Sequence, residues 1–268
     1  MKLGFLTAPF PNTPLMEVAD WAAQAGFEVL EIACWPRTTG PTRRYAGTSH
    51  IDVANLSESQ AKEIVDELAS KGLAISGLGY YPNPLHPDPA HREQVIGHLE
   101  HVITAARKMG VPLVNTFMGG DQNKTQDENW EVALTVWPDI VAFARDNGVK
   151  ITIENCPMIF SRDEWPAGHN IAWSPYIWRR IIETWGDTIG LNFDPSHLVW
   201  LMIDAERFIR EFGPHILHFQ AKDLEINRDG LYERGTLSGG IGWQVPRLPG
   251  LGEVNWSRIF AALYQVGY

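Results

Sequence analysis

The residues able to do chemistry are concentrated in the second half of the chain. Glu154 ends the run KITIEN. Asp194 ends IGLNFD and is followed by Pro195, Ser196 and His197. His218, Gln220 and Lys222 recur at period two in ILHFQAK, ahead of Asp223. Each run is short and apolar, so these side chains are expected at or near the C-terminal ends of three strands. Period two puts His218, Gln220 and Lys222 on one strand face. Strands of a parallel sheet are buried on both faces, so this polar trio needs a site to satisfy it. Carboxylates from two neighbouring strands, with oxygen and nitrogen donors on the next, suit a hard divalent cation. Taken singly, Glu154 is equally a salt-bridge residue, Asp194 a turn former before proline, His197 a helix cap and His218 a satisfied core histidine. Their joint occurrence at three consecutive strand ends argues for a site. The first half offers less: Thr7, Glu31, Tyr80, Tyr81 and Asn115.

The elements that must hold these residues alternate. Strands are expected at Leu3–Pro9, Val29–Cys34, Ala74–Tyr81, Val111–Met118, Lys150–Asn155, Ile189–Asp194 and Ile216–Lys222. Helices are expected at Leu15–Ala25, after the capping pattern SESQ at Ser57, and at Pro89–Met109, Thr125–Asn147, Pro175–Trp185, Asp204–Phe212 and Asn255–Val266. Residues Leu224–Gly252 read as a long Gly/Pro-rich loop, a candidate lid carrying Arg228, Arg234 and Arg247. Alternation of strand and helix argues for a parallel sheet, and seven units argue for a closed barrel. No GxGxxG turn follows the first strand, which weakens a dinucleotide-binding fold. The expectation is a single (β/α)8 TIM-barrel domain over residues 1–268. The sequence stops where an eighth strand would begin, so the C-terminus reads as truncated and that strand as missing.

Bulk properties narrow the function. The 268 residues carry a formal net charge of −10 without a basic cluster, which argues against a nucleic-acid partner. No apolar run approaches the ~20 residues of a membrane span. Two cysteines, Cys34 and Cys156, share no metal-type spacing and are too few for a disulfide framework, so a reduced, cytoplasmic setting is expected. Eleven tryptophans are many. Most serve core packing, but Trp165, Trp173, Trp200 and Trp243 follow strands five to seven and are candidate walls of a sugar pocket.

ITIEN, NFDPSH and HFQAKD together resemble the xylose-isomerase-like TIM-barrel superfamily of sugar isomerases and epimerases, and the likeness extends to PGLGEVNW at Pro249–Trp256. The resemblance implies a divalent-metal-dependent enzyme acting on a small sugar, often a homo-oligomer. It places Glu154 and Asp194 as metal ligands, Glu154 also as the proton-transfer group, and His197 on substrate oxygens. The superfamily motif HxHxKD has its ligand histidine where this chain has Gln220. An amide oxygen there favours Mn²⁺ or Mg²⁺ over Co²⁺ or Zn²⁺, unless His218 takes the ligand position instead. The strand-eight glutamate of the epimerases has no counterpart. The implied chemistry is removal of a proton beside a carbonyl to give an enediolate, with Lys222 and His197 on hydroxyls or the developing oxyanion. Reprotonation gives isomerisation or epimerisation. Loss of a β-leaving group gives the alternative, a lyase or dehydratase acting on a keto-sugar, keto-glycoside or inosose. An endonuclease-IV-type nuclease would need further histidine ligands and basic loops. A non-catalytic sugar-binding protein would need no metal.

Overall fold

The computed structural model describes residues 1–37 and 47–268. Seven strands are hydrogen-bonded in chain order: β1 (Gly4–Leu6), β2 (Val29–Ala33), β3 (Ala74–Gly79), β4 (Leu113–Thr116), β5 (Lys150–Glu154), β6 (Ile189–Phe193) and β7 (Ile216–Phe219). Pairing is parallel from β1 through β4 and between β6 and β7. Helices α1 (Leu15–Gln24), α2 (Glu58–Ser70), α3 (Pro89–Met109), α4 (Gln126–Asp146) and α5 (Pro175–Trp185) connect successive strands up to β6. Sequential parallel strands with helical crossovers make this the α/β TIM-barrel type of fold that the alternation predicts.

The chain forms two compact units. The first comprises residues 1–82, 93–116 and 139–151. Its strands bury Leu30, Ile32, Leu78 and Val114, and α3 buries Val102, Ile103 and Ala106. Ser57 starts α2 with the predicted reciprocal cap: its hydroxyl accepts from Gln60 N, and the Gln60 side chain accepts from Ser57 N. At the ends of β2 and β3 the buried Glu31 is hydrogen-bonded by Tyr81. Gly79 is required beside it, because a Cβ there would lie 2.8 Å from Glu31 Oε1.

The second unit comprises residues 83–92, 117–138 and 152–268. Two sequence expectations are corrected here. The stretch after Lys222 is largely ordered secondary structure rather than an irregular loop. An antiparallel pair, β8 (Asp223–Ile226) and β9 (Gln244–Arg247), flanks a short helix, Arg228–Arg234. Leu224 and Ile226 alternate inward from β8 and bury against Ile159, Trp200 and Trp243. The strand predicted to end at Lys222 ends at Phe219, so Gln220 and Lys222 follow β7. A short helix unforeseen in the sequence, α6 (Pro195–Trp200), follows β6 directly. Asp194 caps it, accepting from Ser196 N at 2.9 Å, and Pro195 fits the first turn because its missing N–H is not needed there. α7 (Ala205–Phe212) and a final helix, Trp256–Gln265, complete the unit.

Asp223 ties its segment together. Its carboxylate accepts from Leu224 N, Gly250 N, Val254 N and Trp256 Nε1 at 2.8 to 3.0 Å, fixing the PGLGEVNW stretch. Burial pushes the acid up, but these donors outweigh it and hold Asp223 below the usual carboxylate range.

Candidate metal and active site

Strand ends β5 and β6 deliver the acids, and amide side chains fix their backbones. Asn155 accepts from Asp194 N at 2.7 Å and donates to Asp194 O at 2.8 Å. Asn170 donates to the carbonyls of both Glu154 and Cys156, at 2.9 and 2.6 Å, and accepts from Met118 N at 3.0 Å. Both asparagines are fully buried. They extend the sheet's pairing past its last strand residues, where the backbone polar groups would otherwise be buried without partners.

On this frame Glu154, Cys156 and His197 offer ligand atoms that all lie within 4.8 Å of one another, all buried. His197 comes from α6, so the Asp194 cap and Pro195 aim its ring back at β5. Its Nε2 is 3.0 Å from Asp194 Oδ2 and 3.4 Å from Glu154 Oε1. Lys222 reaches in from beyond β7, with Nζ 2.7 Å from both Glu154 Oε1 and Asp194 Oδ2. Several of these approaches are close but poorly directed. Asp194 Oδ2 and both His197 ring nitrogens make no hydrogen bond of regular geometry. The attraction between opposite charges survives that misdirection, while the directional capacity of three buried polar atoms stays unused.

The electrostatics follow from burial opposed by partners. Burial raises the Glu154 and Asp194 carboxyls, but the Lys222 ammonium and His197 outweigh it and hold both below their ordinary values. Burial would lower His197 and Lys222. Their neighbours, Cys156 and the Asp194 carboxylate for the histidine and the Asp194 and Glu154 carboxylates for the lysine, instead hold both well above their ordinary values.

The donor set fits a metal ion. A carboxylate, a thiolate and an imidazole are a zinc-type combination, and three protein ligands leave a position open for water or substrate. The thiol shifts the preference away from the Mn²⁺ or Mg²⁺ expected from an all-oxygen set, because thiolate is a soft ligand.

The sequence-predicted residues are only partly assembled. Glu154, Asp194, His197 and Lys222 converge. His218 lies on β7 opposite Asn192 and shares a 2.9 Å hydrogen bond with its Oδ1. Gln220 is half-buried, and its backbone N–H donates to Phe193 O at 2.9 Å. Trp200 and Trp243 pack edge-to-face, 6.2 Å apart, inside the apolar cluster of the β8–β9 segment. Trp165 is 40% exposed on the loop after β5. Cys156 went unrecognised in the sequence. The signal was the pair Glu154-x-Cys156, which repeats the strand period past the strand's end.

Residues 19–268 match the family of xylose isomerase-like TIM barrels, and the chain belongs to that family. Over its whole length it is 26% identical to the uncharacterized protein YfiH of Bacillus subtilis (strain 168), covering 90% of that protein. A D-psicose 3-epimerase from Clostridium cellulolyticum H10, solved with D-tagatose, is similar in structure with a TM-score of 0.69 and 20% identity, over 100% of this chain and 82% of that one. The IOLI protein, solved with a bound zinc atom, is similar with a TM-score of 0.70 and 18% identity, over 100% of this chain and 86% of that one. At these identities the likeness to solved structures concerns the fold. No helix among the described residues is long and apolar enough to cross a membrane.

Proposed function

We propose that the protein is a divalent-metal-dependent isomerase or epimerase acting on a keto-sugar or a related polyol. The observation that carries this reading is the buried convergence of Glu154, Cys156 and His197, with Asp194 and Lys222 alongside. Glu154, Cys156 and His197 would hold the ion, with Asp194 beside them. When bound, it polarises a substrate carbonyl and acidifies the neighbouring C–H. Glu154 takes and returns that proton. It is suited to the role because it is ionised, buried and next to a cation that offsets its charge. The Lys222 ammonium, tethered by a flexible stem, donates to the substrate oxygen that gains negative charge. His197 orients a neighbouring hydroxyl. Trp165 supplies an aromatic wall, while Trp200 and Trp243 support the segment behind it.

Incubation in D₂O with D-fructose, D-tagatose and D-psicose, with Zn²⁺, Co²⁺, Mn²⁺ or Mg²⁺ added in turn, tests the reading by NMR. Deuterium entering at C3 marks an epimerase, and entry at C1 an aldose–ketose isomerase. Loss of a β-substituent marks the lyase. No exchange and no elimination with any metal contradicts proton-transfer chemistry on these sugars.

A further inference from the structure

Lys222 is bound at its ammonium end, and much of its side chain is exposed. Its ammonium sits 2.7 Å from oxygens of two acids whose side chains are 6% and 0% exposed, while the lysine side chain is 47% exposed. Two ionised carboxylates enclosed this way need a cation, because burial and mutual repulsion both oppose their charge. Lys222, with His197 beside it, meets that need in this structure, and Lys222 is 2.7 Å from both acids. It also occupies the ground a metal ion needs. An ammonium and a divalent ion cannot both lie against Glu154, with Asp194 beside it, at these distances without strong repulsion. The exposed four-carbon stem lets the ammonium leave through rotamer changes alone, since Lys222 lies past the end of β7.

We propose that Lys222 is a resident counter-cation, which holds Glu154 and Asp194 in place in the metal-free protein and must withdraw for a divalent ion to bind. The lysine therefore sets the metal affinity together with the ligands. The proposal rests on the metal-site reading above. Removing the charge then has two opposed effects. The metal-free protein becomes less stable, because two buried acids lose their partner. Metal binding becomes tighter, because nothing has to be expelled.

The test is a zinc titration of the full chain and of Lys222→Met, which keeps the unbranched stem but for the terminal ammonium and removes its charge, with Glu154→Gln as control. Expected are a lower Tm for metal-free K222M, a zinc affinity at least about tenfold tighter than wild type, and a larger zinc-induced rise in Tm. Zinc bound by wild type, weakened by E154Q and unchanged or weakened by K222M overturns the counter-cation role and leaves the metal site standing. No zinc bound by wild type or K222M overturns both. Should K222M fail to fold, reductive methylation of the wild type decides. Against the exposed Lys62 as reference, Lys222 should label slowly without zinc and several-fold faster with saturating zinc. Equal labelling with zinc bound refutes the withdrawal.

Discussion

Asn155 holds Asp194 by its main chain, not by its carboxylate: the Asn155 amide exchanges two hydrogen bonds, of 2.7 and 2.8 Å, with the Asp194 N–H and C=O. This acts as one further rung between the ends of β5 and β6. It leaves both carboxylate oxygens of Asp194 for other work, one capping α6 and the other facing His197 and Lys222. Asn155→Ala leaves two buried backbone groups unpaired, each costing about 1–3 kcal/mol. Denaturant unfolding should therefore show a loss of about 2–6 kcal/mol, with weaker zinc binding in the same variant. A loss under half a kilocalorie would mean that water or backbone movement replaces the clamp.

The neighbouring Asp223 makes a prediction about acid stability. Its folded carboxyl is held below its unfolded value of about 3.9. A group with a depressed folded pKa contributes stability that is present above the unfolded value and lost as pH falls through the folded one. Asp223→Asn should be less stable than wild type by about 2–3 kcal/mol near neutrality, from weakened charge-assisted hydrogen bonds. The gap should narrow as pH falls below about 4. A gap constant from neutral to strongly acid pH would show that the charge does not matter.

Gly252 faces the same carboxylate. A Cβ at this position would lie 2.3 Å from Asp223 Oδ1 and 2.6 Å from Leu224 O, so something must shift. Gly252→Ala should destabilise by about 1–3 kcal/mol, in the manner of an overpacked site. Combined with D223N it should cost less than the sum of the two, since both act on one contact. Additive losses in a double-mutant cycle would contradict that shared origin.

Much of this was legible beforehand, and the misses have physical causes. Helices α3 and α5 begin at prolines, and each is closed by glycine, so their ranges can be read to the residue. Glu154, Asp194, His197 and Lys222 are legible as candidates because each follows or ends an apolar run that leaves polar side chains few places to go. The 224–252 stretch reads as a loop because its glycines and prolines punctuate a strand–helix–strand unit whose apolar residues pack with one another and with the distant Ile159 and Trp200. The sequence alone could not show that Leu224, Ile226 and Trp243 form one core. The helix Pro195–Trp200 is too short for a 3.6-residue pattern to register. Cys156 carries no signal in its spacing from Cys34; its signal lies in its two-residue spacing from Glu154.

The central claim is that Glu154, Cys156 and His197 form a metal site, and metal content tests it most directly. Wild type, Glu154→Gln and Cys156→Ser would each be loaded with Zn²⁺, Mn²⁺, Co²⁺ or Mg²⁺, freed of excess ion and measured by elemental analysis. The account predicts about one ion per wild-type chain, with zinc retained best because of the thiolate. E154Q should lose it, and C156S should lose zinc preferentially. Wild type retaining no ion under any loading, or both variants retaining as much as wild type, would contradict the claim and leave a barrel whose buried acids are balanced by Lys222 and His197.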